Sequence, residues 1–184
     1  MLVLTPLDLS LQAMIVLLVS IAAVYDFRWR RIPNWLTGSG AIAGLTVNMA
    51  LFGMAGLAGS AKALVFGFAV YFVLYILRAM GAGDVKLMAA VGAIAGPERW
   101  FAIFLITSLV GGITALAVVL VRKRFVHTLW NVAFVFSQLL QMRSPALARE
   151  ELDVQSEKAM TLPAGVRIAA GVFGFLVISG LGGR

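Results

Sequence analysis

The stretch MGAGDVKLMAAVGAIAG, residues 80–96, places Asp84 and Lys86 at the start of an apolar segment, behind Gly81 and Gly83. Charged side chains are costly beside a segment that favours hydrocarbon, so they need a structural or functional reason to lie there. The two glycines permit an unwound backbone and a close approach of neighbouring chain. We therefore expect Asp84 to point into the protein rather than toward lipid.

The composition of the whole chain indicates a membrane protein. It is 61% hydrophobic and 12% charged over 184 residues, whereas soluble domains are about 45–50% apolar and about 25% charged. A soluble protein of this size has too little interior to hide so much apolar surface. The chain has one histidine and no cysteine, so we expect no metal site and no cofactor. We read the net charge of +7 as a mark of cytoplasmic loops and expect no nucleic-acid partner.

The sequence has six apolar segments, and all except the short fourth one are long enough, or nearly so, to cross a bilayer as helices, which takes about 20 residues. They lie at residues 9–25, 35–57, 61–78, 85–96, 100–121 and 164–181. We therefore predict an all-α integral membrane protein, a single domain over residues 1–184 with a bundle of about six transmembrane helices. Residues 122–163 are expected to form a cytoplasmic segment, with an interfacial helix over 125–142 and a polar loop over 143–163.

The positions of the basic residues predict the orientation. No Lys or Arg lies among the first 27 residues, so we expect an uncleaved first helix with its N-terminus outside. Six crossings then place the connections at 26–34, 78–86 and 122–163 in the cytoplasm, and these hold 11 of the 15 basic residues. The connections at 55–60 and 97–99 are expected outside. We therefore predict a multi-pass protein of the cytoplasmic membrane.

Two of the eight acidic residues, Asp26 and Asp84, lie at the cytoplasmic ends of predicted spans. Asp26 is followed by Pro33 and Asn34 in VYDFRWRRIPNWLT, where a proline typical of a helix start makes a short joint between two spans. Both acids then lie at one depth, although 58 positions separate them. Taken alone, Asp26 is explained equally well by ion pairs with nearby arginines, and Asp84 by the positive end of a helix. Two acids at matched depth favour a functional site.

Two carboxylates in one site share a proton, so one acts as a base while the other acts as an acid. Such a pair activates a water molecule and protonates the leaving nitrogen of an amide. This hydrolysis needs no Ser, Cys, His or metal, which suits a chain with one histidine and no cysteine.

Three motifs resemble those of the type IV prepilin peptidases, a family of membrane GxGD aspartic proteases. GAGDVKLMAAVGA resembles the signature G-x-G-D-x-K-L, DFRWRRIPNWLT the signature of an aspartate followed by Ile-Pro-Asn, and LPAGVRIAAG the start of the last helix. The resemblance covers about residues 16–180 and implies that Asp26 and Asp84 are catalytic. It assigns supporting roles to the motif residues Gly81, Gly83, Lys86, Pro33 and Asn34.

The resemblance implies six helices and removal of the basic leader peptide from a prepilin or prepilin-like substrate at the cytoplasmic face. The short chain is similar to the Flp (tight-adherence) pilus type and to the archaeal preflagellin peptidases. Members that also methylate the new N-terminus carry an extra cytosolic domain between the first two helices. Only residues 27–34 fill that joint here, so we expect no methylation.

Two other functions remain open. A signal-peptide-peptidase-like protease would cut within the span of its substrate, although that class usually has nine spans. A component of a proton- or cation-coupled transporter would bind ions at Asp26 and Asp84, although paired repeats and acids nearer the middle of the membrane would then be expected.

Other conspicuous residues are expected to be structural. Tryptophans are typical anchors at the membrane interface, and we assign this role to Trp29, Trp35, Trp100 and Trp130. His127 is expected to be interfacial as well. Glycines within apolar helices are typical of close packing, which we expect at Gly40, Gly44, Gly111 and Gly112.

Overall fold

The computed structural model describes residues 9–76, 80–121 and 164–182, nearly all of which are helical. The helices are α1 (Leu9–Trp29), α2 (Asn34–Ile76), α3 (Ala82–Ala95), α4 (Pro97–Val121) and α5 (Ala164–Gly182). These three ranges contain no strand, so the predicted all-α class is confirmed. The interfacial helix and polar loop predicted over 125–163, with His127 and Trp130, lie outside the described residues.

Long apolar helices make this a membrane protein. In the described part of the chain, α1, α2 and residues Pro97–Ala117 of α4 are long and apolar enough to span a bilayer, and α5 contains a shorter apolar stretch, Ala164–Gly180. The 14 residues of α3 give a length of roughly 21 Å, which is less than the hydrocarbon thickness of about 30 Å. The predicted count of six crossings therefore stays a prediction. Large apolar side chains face outward, as a lipid-facing surface requires, among them Leu17, Ile42, Val65, Leu109 and Val177.

α2 is bent into two arms. Its 43 residues would measure roughly 65 Å if straight, about twice the hydrocarbon thickness. The bend lies at Gly53, whose φ of 63° and ψ of −151° are accessible to glycine and strained for other residues. Contacts with α3 show that the first arm runs parallel to α3 and the second antiparallel, since the contacting pairs are Asn34–Lys86 and Gly44–Ala93 in the first arm, and Ala63–Gly92 and Gly67–Met88 in the second.

The bend corrects one prediction. The sequence interpretation placed the connection between the second and third spans at residues 55–60, but these residues are helical. The reversal lies at Gly53 because this glycine adopts the positive φ that turns the backbone. The two predicted spans are nevertheless present as the two arms of α2.

α3 lies at the centre of the packing. Apart from Lys86, all of its residues from position 84 onward are buried. Small residues let its neighbours approach closely. A Cβ atom added at Gly92 would lie 2.5 Å from the carbonyl oxygen of Ala63, and one added at Gly44 would lie 2.8 Å from the carbonyl carbon of Ala93. Both positions require glycine, as is typical of helix packing within membranes.

The C-terminal end of α3 is closed by two polar side chains of α2. The last carbonyl groups of a helix have no intrahelical donor, and water is not available within hydrocarbon. The Nδ2 group of Asn48 donates to the carbonyl oxygens of Gly44 and Ala93 at 3.0 Å each, and to that of Ile94 at 3.1 Å. The hydroxyl of Ser60 also donates to the Ala93 oxygen. Both arms of α2 are thereby joined to the same end of α3.

The interfacial role predicted for Trp100 is wrong. Its side chain is 1% exposed, and its Nε1–H donates to the carbonyl oxygen of Met88 at 3.0 Å. Gly67 provides the space for the ring, since a Cβ atom there would lie 2.8 Å from Nε1. Trp29 and Trp35 are exposed, as an interfacial position requires.

The packing role predicted for four glycines holds for two of them. Gly44 packs against α3 as described above, and a Cβ atom added at Gly40 would lie 2.8 Å from Cδ1 of Leu18. At Gly111 an added Cβ atom would have its nearest neighbour at 3.8 Å, and at Gly112 it would meet nothing within 4 Å. The structure therefore gives no packing reason for glycine at the latter two positions.

Candidate active site

Asp26 lies in the last turn of α1 and is 8% exposed. Its Oδ2 atom accepts a hydrogen bond of 2.7 Å from the backbone N–H of Gly165, in the first turn of α5. The first N–H groups of a helix lack intrahelical acceptors, so Asp26 caps α5 from another helix. A Cβ atom added at Gly165 would lie 3.0 Å from Cβ of Asp26 and 3.1 Å from its Oδ2. This close approach favours glycine.

Asp84 lies in the first turn of α3 and is 7% exposed. Its Oδ2 atom accepts a hydrogen bond of 3.2 Å from the backbone N–H of Gly81, the residue that precedes the helix. The position at the helix start also favours a negative charge. The backbone of Gly81 is extended, with φ of −79° and ψ of 152°, and α3 begins at Ala82. Among the described residues directly before α3, residues 80 and 81 are therefore non-helical, as the unwound stretch predicted before Asp84 requires.

Gly83 packs the start of α3 against the joint between α1 and α2. A Cβ atom added there would lie 3.1 Å from Cβ of Ile32, so the close approach predicted for the motif glycines is confirmed at this position. The joint itself turns at Arg30, whose φ is 53° and whose N–H donates to the carbonyl oxygen of Asp26 at 2.9 Å. The turn after Asp26 and the turn that carries Asp84 therefore lie side by side.

Asp26 and Asp84 are both buried, and they belong to different helices. The charge of Asp26 acts on the Asp84 carboxylate through space. Each carboxylate accepts a hydrogen bond from a backbone N–H at a helix start, Asp26 at α5 and Asp84 at α3. Backbone donors therefore hold both carboxylates in place.

Lys86, Asn34 and Pro33 lie where the start of α3, which carries Asp84, meets the start of α2. The Nζ group of Lys86 donates to Oδ1 of Asn34 at 2.8 Å on the exposed surface, joining the start of α3 to the start of α2. α2 begins at Asn34, so Pro33 directly precedes the helix, and its carbonyl oxygen accepts the N–H of Thr37 at 3.4 Å. The predicted helix start at Pro33 differs by one residue, which is within the uncertainty of helix boundaries.

Arg167 and Tyr71 belong to the site but were not among the predicted site residues. The charge of Arg167 acts on both Asp84 and Tyr71, and the charge of Asp84 also acts on Tyr71. The sequence contains a signal for Arg167, which is a charge in the apolar stretch AGVRIAAGVFGF. Tyr71 lies in an apolar run and gave no such signal.

A cavity of about 270 Å³ adjoins these residues, between the second arm of α2, α4 and α5. Its volume is slightly below the roughly 300–1,000 Å³ of typical small-molecule sites. The walls are mostly apolar, with polar groups at Arg167, Tyr71, Thr107 and Ser108. The cavity is therefore bounded in part by Arg167 and Tyr71, the two residues that interact electrostatically with Asp84.

Metal ligands are not clustered in the described residues. No group of three or more His, Cys, Asp and Glu side chains in residues 9–76, 80–121 and 164–182 is arranged to hold a metal ion. Asp26 and Asp84 are engaged instead by backbone N–H groups.

Comparison with known proteins gives one match. The sequence model of the type IV leader peptidase family matches residues 13–116, which is more than half of the chain and includes Asp26, Asp84 and the stretch 80–96. No protein of curated function and no solved structure matches the chain. The matched range ends before α5.

Proposed function

The chain belongs to the type IV leader peptidase family and is a membrane protease, and we propose that it removes the basic leader peptide of prepilin-like proteins, with Asp26 and Asp84 as the catalytic pair. The observation that supports this most is that two buried carboxylates from different helices lie within electrostatic reach of each other. Burying two acids together is energetically costly, and ionisable residues retained at such a cost are typical of functional sites.

In the proposed reaction a water molecule lies between the two carboxyl groups. One carboxylate accepts a proton from the water as its oxygen attacks the scissile carbonyl carbon. The other carboxyl group, protonated, donates a hydrogen bond to the developing oxyanion and then its proton to the leaving nitrogen. The products are a leader with a new C-terminal carboxylate and a mature protein with a new N-terminal amine.

The cytoplasmic face is the proposed location of the cut. Arg28, Arg30 and Arg31 follow Asp26 directly, and basic residues accumulate on the cytoplasmic side of membrane proteins. A basic leader also remains in the cytoplasm when the apolar segment behind it enters the bilayer. The proposed site and the proposed scissile bond then lie at the same membrane face.

The apolar cavity is the proposed position of the substrate next to the cut. Arg167 lines this cavity and its charge acts on Asp84, which is why we place the residues beside the scissile bond there. Family membership supports a protease and gives no support to the transporter alternative.

The substrate proposal is tested with purified protein in detergent and a synthetic substrate that has a basic leader, a glycine at its end and an apolar helix. We expect one cut, directly after the glycine, with both products identified by mass spectrometry. A matched substrate with the leader lysines replaced by glutamine should be cut more slowly, because the basic leader is part of what is recognised. Cleavage within the apolar helix would contradict the proposal and favour the signal-peptide-peptidase-like alternative.

A further inference from the structure

The first turn of α5 lies outside the range matched by the family model, although it belongs to the motif LPAGVRIAAG that resembles the start of the family's last helix. This turn interacts with both aspartates. We propose that this turn is part of the catalytic centre. The backbone N–H of Gly165 positions the Asp26 carboxylate, and the guanidinium of Arg167 provides a positive charge that acts on Asp84. The proposal rests on the function proposed above, because it assigns two positioning residues to the same carboxylate pair.

Gly165 contacts Asp26 through its backbone. Among the described residues it supplies the only hydrogen bond to the Asp26 carboxylate, at 2.7 Å, a length typical of strong bonds to charged acceptors. The carboxylate has two oxygens, and this bond engages Oδ2. The Gly165 bond therefore fixes the orientation of the Asp26 carboxylate.

Arg167 approaches the pair from the same helical turn. Its charge acts on Asp84, and its Nε atom is buried without a hydrogen-bond partner in the described part of the chain. A charged side chain among apolar helices is costly, so packing alone does not explain an arginine here. Its guanidinium reaches toward α4, where a Cβ atom added at Gly111 would lie 3.8 Å from Nη1. The side chain therefore extends along the cavity, with its charge next to the proposed catalytic centre.

The docking of α5 does not depend on these two residues. Ile168, Val172 and Phe175 are almost fully buried and belong to the main apolar core, so they supply the packing that holds α5 in place. Gly165 and Arg167 add a backbone donor and a charge. Substitutions at these two positions are therefore expected to change the reaction rate more than the stability.

Two substitutions at Gly165 distinguish the effect of losing the N–H donor from the effect of adding a Cβ atom. Gly165→Ala and Gly165→Pro both add a Cβ atom near Asp26, but only proline removes the N–H, and the first turn of a helix tolerates proline. We expect kcat to fall about 10-fold for alanine and about 100-fold or more for proline, because a small misplacement of a catalytic group has such effects. Gly180→Ala on the same helix is the control, since an added Cβ atom there meets nothing within 4 Å.

Two substitutions at Arg167 separate charge from shape. Arg167→Gln should lower kcat about 10- to 100-fold with KM changed less than about 3-fold, whereas Arg167→Lys, which keeps the charge, should retain most of the rate. The exposed Lys62→Gln variant controls for loss of a positive charge elsewhere. A larger KM with unchanged kcat would make Arg167 a substrate contact and overturn the positioning role, as would equal loss of activity in the lysine and glutamine variants.

The closing experiment measures all of these variants beside Asp26→Asn and Asp84→Asn on one cleavable substrate, with thermal unfolding in detergent as a check of folding. Inactive Asn variants together with the expected order at Gly165 and Arg167 support the inference. Wild-type activity in Gly165→Pro and Arg167→Gln, with inactive Asn variants, overturns the inference alone. Active Asn variants overturn the proposed carboxylate pair, and the inference with it.

Discussion

Replacing Asn48 by alanine removes the side chain that closes the C-terminal end of α3. The lost contacts are those from Nδ2 to the carbonyl oxygens of Ala93 and Ile94. The Ala93 oxygen keeps the hydroxyl of Ser60 as a donor, whereas the Ile94 oxygen loses the Asn48 amide as its donor. A buried polar group left unpaired costs about 1–3 kcal/mol, and hydrogen bonds measured within membranes average about 0.6 kcal/mol with a maximum of about 1.7 kcal/mol.

These values predict a defined order of stabilities. Asn48→Ala should lower the free energy of unfolding by about 1–2 kcal/mol, and Ser60→Ala by about 0.5 kcal/mol, because the Ala93 oxygen still has Asn48 as a donor. The double variant should lose more than the sum, since the Ala93 oxygen then loses both donors and neighbouring residues are not additive.

The assay is reversible unfolding in mixed micelles with a denaturing detergent, followed by circular dichroism. Thr46→Ala is the matched control, because its hydroxyl bonds only within its own helix turn and is exposed. A double variant as stable as the wild type would refute the assignment of Asn48 and Ser60 as the closure of α3, and so would a Ser60→Ala variant less stable than Asn48→Ala.

Three further predictions concern packing, orientation and product chemistry. Gly92→Ala should destabilise the protein by about 1–3 kcal/mol in the same unfolding assay, because its Cβ atom would overlap the Ala63 carbonyl group. Gly38→Ala is the control and should be neutral or slightly stabilising, because the space around Gly38 is open. Single cysteines replace Arg31 and Glu98, both of which are exposed. An impermeant thiol reagent should label the cysteine at position 98 in sealed cells, and the cysteine at position 31 only after the cells are permeabilised. The reverse pattern would contradict the orientation. The mature product formed by the purified chain in the presence of S-adenosylmethionine should carry a free N-terminal amine, and a mass increase of one methyl group would contradict this.

The helical class and the main apolar segments could be predicted from the sequence because long apolar runs have few alternatives in a bilayer. Charge asymmetry in the sequence also placed Asp26 and Asp84 at the same end of the bundle, and their pairing as one site stays a prediction. The close approach at Gly83 followed from the motif itself. In each case a local property of the sequence decided the result.

Other features depend on packing between distant segments, which no local pattern specifies. The reversal in α2 lies at Gly53 although several glycines nearby would also have permitted it. Trp100 is buried because Gly67 leaves room for its ring on another helix. The contact of Gly165 with Asp26 joins residues 139 positions apart, and nothing near either residue indicates the hydrogen bond.

The carboxylate pair is tested most directly by the rate of leader cleavage in Asp26→Asn, Asp84→Asn and the double variant. Asparagine keeps the size and much of the hydrogen bonding of aspartate but cannot exchange the proton that the reaction requires. Glu98→Gln is the matched control, because it makes the same change at an exposed acid in the first turn of α4.

We expect each single variant to accumulate in the membrane and to lose cleavage by at least about 10³-fold, with Glu98→Gln at the wild-type rate. The double variant should be no slower than the slower single variant, because residues that act as one unit do not contribute additively. Cleavage at the wild-type rate by either Asp26→Asn or Asp84→Asn would contradict the central claim.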